Sequence, residues 1–434
     1  MSSELRAASC ERWVGSRRLS YVACLFLLSF AGAWAQPLRV GLVQQFSNLP
    51  QVTLRSAAEF CVTDSAGDTI AAVAAGGEVT LSAKDGAMEL ARASGASVPA
   101  GSQIEAAGLA PDTLIIVSCP NRPPGQYRGR IVARAGERGI LLINVVDVED
   151  YLLGVLPAEI PVEFNPEALK AQAVAARTYA WANRGRHDKL GYDLCDSTDC
   201  QVYLGASGEK PTTSAAVKET AGLVAVYQGR PISAQYSADC GGMTQSGGAP
   251  YLVSVADRPE DGGPDYCEHS GHTWTKSWPL EEFEKLLQGS YPDLKGLKTI
   301  SVTSTDASGR AVEVKIEAEK GAVTLSGVRL RSLSGNTVIR SAAFTVKVQD
   351  GNVLFEGKGY GHGIGLCQHG ANALAAPPHN YTFDRILKHY YQGIEIVPVS
   401  SVGTPGRTGQ ETVIEQAARR HSAPPWRSER GSGS

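Results

Sequence analysis

Three stretches of the chain hold residue types that could do chemistry. In Pro157-Ala158-Glu159-Ile160-Pro161 one carboxylate stands between two prolines. Proline fixes its own φ and restricts the residue before it, so the pattern predicts a stiff, non-helical turn around Glu159. A carboxylate placed before reaction suits acid–base work; a surface glutamate in a loop is the plainer reading. The second stretch is YDLCDSTDCQVYLG, residues 192–205, with Cys195 and Cys200 among Asp193, Asp196 and Asp199. Later come Cys267, His269 and His272. Two thiols and two imidazoles could hold a tetrahedral zinc. Disulfides, Cys195–Cys200 or Cys240–Cys267, are the alternative.

The third stretch is GKGYGHGIGLCQHGANALA, residues 357–375, with glycine at 357, 359, 361, 363 and 365. If the segment is extended, all five share one bare face. Such a face admits a polymer or a second backbone; close packing inside the protein explains it as well. The stretch is neither a dinucleotide fingerprint nor a phosphate loop. His362, in its midst, could bind substrate or satisfy a buried carbonyl.

The elements that must position these groups are short. Between about residues 38 and 147 the strand candidates are LRVGLVQQF, QVTLRSA, EVTLSAK, TLIIVS, YRGRIVARA and ILLINVV, separated by turns such as SAGD and KDG. VEDYLLGVL then reads as a short amphipathic segment. Asn165 followed by Pro166 is a strong helix start, and the helix should run to about Asn183. On it, Leu169, Ala173, Ala176 and Ala180 make a small, smooth stripe. Gln172, Ala176, Tyr179 and Asn183 make a more polar one, the wet edge of a packed helix. AAVKETAGL, PLEEFEKLLQG and YTFDRILKHYYQG read as helices. LVAVYQGRPISAQYS, LKTISVTSTDASGRAVEVKIEA and FTVKVQDGNVLFEG read as hairpins, the last with an Asp350-Gly351 turn. IEIVPV closes as a strand.

The 434 residues are 43% hydrophobic and 20% charged, with net charge −3, which argues for a globular protein and against nucleic-acid binding. At the N-terminus, Arg17-Arg18, the apolar run YVACLFLLSFAGA and Ala33-Trp34-Ala35 fit a cleaved secretory signal over residues 1–35. The run is short for a membrane span. Cys24 is a poor lipidation site, because Tyr21 stands where leucine is wanted. A leader with four Arg and two Glu would leave a slightly more acidic mature chain with seven cysteines. An odd count leaves at least one thiol outside any internal disulfide. Residues 399–434, rich in Gly, Pro, Ser and Arg, read as a disordered tail.

Together and in this order the motifs resemble the stage II sporulation protein D (SpoIID/LytB) family. The matching pieces are YRG at 127–129, VEDYLLGVLPAEIP at 148–161, EALKAQAVAARTYA at 167–180, YDLCDSTDCQVYLG at 192–205, PYLVSVAD at 250–257 and GKGYGHGIGLCQHGANALA at 357–375. Leu366-Cys367 stands where members commonly carry Met-Ser, and His369 where many carry Tyr. The resemblance covers about residues 38–398: a β-rich part over 36–147 and a catalytic core over 148–398. It implies an α+β fold of several small, mainly antiparallel sheets with the Ala-rich helix beside a substrate groove. It implies a secreted or periplasmic peptidoglycan lytic transglycosylase that acts on peptide-free glycan strands, with Glu159 as its single acid and base. Gln172, Arg177, Tyr179, Gln201, Tyr203, Tyr360, His362 and Gln368 would line the groove. Arg177 could hold the lactyl carboxylate of muramic acid or serve equally as a structural ion-pair partner. Glu163, four residues from Glu159, is the candidate second carboxylate of a conventional hydrolase. No cofactor is required. Some relatives bind zinc near Cys195 and Cys200, for which Cys195, Cys200 and His269 are the candidates here, with a disulfide left open. A cell-wall amidase is the expected partner; nucleic acid and nucleotides are not. The alternative is a non-catalytic wall-binding enhancer of an N-acetylmuramoyl-L-alanine amidase.

Overall fold

A computed structural model describes residues 37–402 apart from 93, 94, 96, 269 and 270. The leader and most of the tail expected from the sequence lie outside the described residues. The described chain is α+β, with helices α1 (Val148–Glu159), α2 (Pro166–Ala182), α3 (Pro211–Glu219), α4 (Leu280–Gln288), α5 (Gly327–Ser334), α6 (Gln368–Ala375) and α7 (Phe383–Tyr390). Among the described residues no helix is long and apolar enough to cross a membrane.

The chain forms two units. The first holds residues 37–234 together with 381–384 and 394–402; the second holds 235–380 and 385–393. The boundary thus falls after Ala234, whereas the sequence suggested one near residue 147.

In the first unit a seven-stranded sheet runs in the order Leu194–Cys195, Leu38–Gly41, Gly139–Val146, Arg130–Gly136, Gln103–Gly108, Phe60–Asp64, Thr69–Val73. A six-stranded sheet spans residues 51–127. Strands such as Gln51–Arg55 and Ala87–Arg92 alternate buried and exposed residues, as strands with one covered face do. Pairing is antiparallel except where Val40 and Gly41 meet Leu194 and Cys195 in a two-residue parallel bridge. A third sheet pairs Leu223–Tyr227 with Arg230–Pro231 across the Gln228-Gly229 turn and with Glu395–Pro398.

Both helices near Glu159 start as their sequences dictate. Asp147 caps α1 by accepting from the Glu149 N–H, and Glu149 and Asp150 favour the positive end of the helix. Asn165 caps α2 in the same way, at 3.0 Å from the Glu167 nitrogen, with Pro166 next. The polar stripe on α2 is not a wet edge: Gln172, Tyr179 and Asn183 are all buried. Methyl-sized residues let neighbours close in on every side of this helix.

The second unit contains two three-stranded antiparallel sheets, over residues 273–358 and 295–325, around a core that includes Phe283, Val314, Leu330 and Phe355. The expected hairpins are both present. A parallel two-residue bridge pairs Tyr236–Ser237 with Leu366–Cys367. The glycine run before it is not extended. Gly359, Gly361, Gly363 and Gly365 all have positive φ, between 70° and 107°, so the segment coils. A Cβ at Gly365 would lie 2.1 Å from the Gln235 carbonyl oxygen, and one at Gly359 2.9 Å from that of Asp239. The glycines therefore admit a second backbone of the same unit. Gly351 also has positive φ, yet its Cβ would meet nothing. Gly365→Ala should destabilise the protein by about 2 kcal/mol or more, and Gly351→Ala by about 1 kcal/mol. Urea unfolding of the two variants measures the difference; equal losses would refute the packing role.

Candidate functional site in the first unit

Glu159 is the last residue of α1, not part of a non-helical turn. Pro157 lacks the N–H that would bond to the Leu153 carbonyl one turn back, so the last turn of α1 rests on the bonds around it, such as Ile160 N–H to the Leu156 carbonyl at 3.0 Å. Ile160 is extended, as the residue before Pro161 must be. The helix end is thereby fixed, and with it the Glu159 carboxylate.

The carboxylate is partly buried, and its Oε1 accepts from the Val202 N–H at 2.5 Å. Burial raises its pKa to about 7, against the opposing hydrogen bond from Val202. The acid form thus persists to neutral pH. Glu163 is exposed and two residues beyond Pro161.

The segment that brings the Val202 N–H is held on both sides. Gln201 Oε1 accepts from the Tyr151 hydroxyl at 3.3 Å, and its Nε2 donates to the Ala176 carbonyl at 3.3 Å. The Tyr203 hydroxyl donates to Asn144 Oδ1 at 2.8 Å, and the Asn144 amide donates to the carbonyls of Arg128 and Arg130. Gly154 makes room: a Cβ there would lie 2.6 Å from the Gly205 carbonyl oxygen and 2.7 Å from the Tyr203 ring. Upstream, buried Asp196 accepts from the backbone N–H groups of Gln44 and Gln45 at 2.7 and 3.1 Å. Asp193 receives the Arg39 guanidinium at 2.8 Å.

Cys195 and Cys200 flank this segment and meet His187 and Asp199. One donor atom from each of the four lies within 4.8 Å of all the others. His187 Nε2 is 3.2 Å from the Cys200 sulfur and 3.3 Å from Asp199 Oδ2. Bonding between the thiols lowers the proton affinity of Cys195 and raises that of Cys200. Two sulfurs, an imidazole and a carboxylate at this spacing fit one tetrahedral zinc. Among the described residues no disulfide joins any of the seven cysteines. His269 lies outside the described residues, and the imidazole brought to these thiols is His187. Cys267 and His272 belong to the second unit, where Cys267 joins a different cluster and His272 stands 3.5 Å from its sulfur. His187 was legible only as a histidine eight residues before Cys195, a gap no short zinc spacing covers.

The other expected site residues divide. Gln172, Gln201 and Tyr203 are buried, and the last two support the Val202 segment rather than line a groove. Tyr179 is nearly buried, and its hydroxyl accepts from Arg186 at 3.0 Å. Arg177 is 1% exposed and takes the structural role: both its Nε and Nη2 donate to Glu149 at 2.7 Å, and its remaining donors reach Thr220, Leu223 and Val217. No donor is left for a lactyl carboxylate. Tyr360, His362 and Gln368 lie in the second unit: Tyr360 and His362 are exposed, and Gln368 is buried at the start of α6. His362 Nδ1 accepts from the Ile364 N–H at 3.0 Å, so that ring orients its own loop.

A helix-end carboxyl kept protonated to neutrality, beside a thiol–imidazole–carboxylate cluster on a small-sheet α+β scaffold, defines a class of site. The chain itself is similar in sequence to known proteins. Residues 136–227 match the model of the stage II sporulation protein family, and residues 259–365 match one described only as a domain of unknown function. A stage II sporulation protein D from Bacillus amyloliquefaciens is 32% identical over 280 residues, 60% of this chain and 76% of that one. An uncharacterized protein of Brachyspira hyodysenteriae is 33% identical over 280 residues, 64% of this chain and 74% of that one. An amidase enhancer from Bacillus subtilis is 33% identical over 290 residues, 56% of this chain but 39% of the relative. The chain belongs to the stage II sporulation protein D family.

Two outcomes follow from the geometry. A carboxyl with raised pKa binds its proton more tightly folded than unfolded, so it erodes stability as pH rises from about 4.5 toward 7. Glu159→Gln should therefore be more stable than wild type above pH 7, by up to about 3 kcal/mol, with the gain vanishing below pH 4. Denaturant unfolding at pH 4 and pH 8 measures it; a pH-independent difference would refute the shift. Arg177→Ala should cost about 3 kcal/mol of stability by stranding Glu149 and three buried acceptors. A variant of unchanged stability that loses only substrate affinity would contradict the structural role.

Proposed function

We propose that the protein is a secreted cell-envelope lytic transglycosylase that cleaves the bond between N-acetylmuramic acid and N-acetylglucosamine in peptidoglycan glycan strands. The observation that carries this reading is the partly buried Glu159 with a pKa of about 7. Its family membership supports the substrate class.

One carboxyl suffices for this chemistry. Glu159 gives its proton to the glycosidic oxygen as the bond to the muramic C1 breaks, and N-acetylglucosamine leaves with a new hydroxyl. The muramic C6 hydroxyl attacks C1 of the same sugar. The Glu159 carboxylate takes the proton of that hydroxyl and is restored to its starting state. The product is a 1,6-anhydro end, and no water is consumed. The environment serves both halves of the cycle. Burial keeps the acid form populated, and the Val202 N–H stabilises the carboxylate when it forms. A zinc ion held by His187, Cys195, Cys200 and Asp199 would crosslink the turn after α2 to the segment leading to Val202. Its contribution is structural, and no step of the reaction passes through it.

A second reading is favoured by the relative named an amidase enhancer. In it the protein binds glycan strands and stimulates a cell-wall amidase, and Glu159 is dispensable.

Incubating the protein with peptide-free glycan strands and reading the ends by mass spectrometry tests both. Wild type should release 1,6-anhydromuramic ends, and Glu159→Gln should be slower by at least about 100-fold. The rate should fall about tenfold per pH unit above 7, as the acid form is lost. Reducing ends would indicate hydrolysis. Equal amidase stimulation by wild type and Glu159→Gln, without cleavage by either, would establish the second reading.

A further inference from the structure

The second unit buries three more cysteines at one point. Cys240, Cys267 and Cys367 come from three segments far apart in sequence, and Asp239 joins them. All four residues are buried, and one donor atom from each lies within 4.8 Å of all the others. The proposed activity uses none of them. We propose that these four side chains form a structural zinc site, separate from the cluster beside Glu159.

The sulfur spacing is the first argument. Cys240 Sγ and Cys267 Sγ are 3.7 Å apart. A disulfide sets its sulfurs about 2.05 Å apart. Two thiolates on one tetrahedral zinc, each with a bond of about 2.3 Å, stand about 3.8 Å apart. The third sulfur points inward as well: Cys367 Sγ accepts from the Cys240 N–H at 3.2 Å and from the Gly370 N–H at 3.4 Å. Three thiols cannot all pair as disulfides, and soft sulfur donors select zinc over magnesium or calcium.

The surroundings are the second argument. Asp239 Oδ1 accepts from the Gly241 N–H at 2.7 Å and stands 3.4 Å from His272 Nδ1. His272 Nδ1 is also 3.5 Å from the Cys267 sulfur, and its Nε2 is 3.3 Å from Asp265. Asp257, wholly buried, lies 3.1 Å from the Cys240 sulfur and is held by the Tyr390 hydroxyl at 2.6 Å. This is the outer ring of hydrogen-bonding groups that orients metal ligands. Arg310, 1% exposed, donates to the Cys240 carbonyl at 2.8 Å. A guanidinium buried this deeply needs anionic charge nearby. Asp306 offers some of it, and three thiolates and a carboxylate around a dication would add to it.

The test starts from His187→Ala/Cys200→Ser, which removes the cluster of the first unit and leaves the second intact. The full chain is purified without chelator, refilled with zinc under reducing conditions, desalted, and its metal counted by mass spectrometry. One zinc per chain is expected to remain. Adding Cys367→Ser should lower the bound zinc at least tenfold, whereas adding Cys119→Ser should not change it. Should the Cys367 variant fail to fold, cobalt replaces zinc in His187→Ala/Cys200→Ser. Absorption from sulfur-to-cobalt charge transfer, at the strength of three thiolates, then supports the site. Its absence overturns it. A zinc-free His187→Ala/Cys200→Ser protein, or a peptide map of that protein showing a Cys240–Cys267 disulfide in place of metal, also overturns it.

Discussion

Everything in the first unit converges on one unfavourable act: a carboxyl group is taken partly out of water at the end of a helix. Burial alone would leave Glu159 a plain acid, and the Val202 hydrogen bond alone would make it a plain carboxylate. Burial outweighs the hydrogen bond, and by how much is set by where the Val202 segment runs. That path is fixed by Gly154, which lets backbone approach backbone, by the Tyr203–Asn144 bond, and by the grip of Gln201 between Tyr151 and Ala176. The small side chains of α2 follow from the same requirement, since a bulkier helix would push the segment away.

Each unit also contains a parallel bridge only two residues long, and each bridge ends on a cysteine. Cys195 pairs with Gly41, and Cys367 pairs with Ser237. A ladder so short contributes little by itself. In both places side chains do what the ladder cannot: Asp193 and Asp196 bind the first bridge to the backbone of residues 39–45, and Cys367 accepts from Cys240 and Gly370 beside the second.

Much of this was legible in the sequence where the signal was local. The Asn165-Pro166 start of α2, the Asp350-Gly351 turn and the long hairpins depend on neighbours in the chain, and they were read within a residue or two. The strands at 60–64 and 69–73 were missed, because FCVTD and TIAAV are only five residues each and do not alternate apolar with polar residues. Glu159 was read into a non-helical turn, whereas the second proline stops a helix that already includes the first and ends on Glu159. The spacing of two in the glycine run did not decide between an extended segment and a coil, since a coil of alternating positive φ produces it as well. Arg177 and His187 show the deeper limit. Arg177 is structural because Glu149 lies across from it, and His187 joins the cysteines because the turn after α2 folds back. Neither fact is written in local pattern.

The first unit is not continuous along the chain. Its third sheet takes Glu395–Pro398 as the partner of Leu223–Tyr227, after some 150 residues spent on the second unit. Synthesis runs from the N-terminus, so the strand at 223–227 must wait, with an open edge, until nearly the whole chain has been made. Exposed strand edges invite pairing with other chains. The second unit, built almost entirely from residues between the two halves, can close on itself in that interval. The chain order is therefore nested: the residues of the second unit lie between the two segments that complete this sheet of the first.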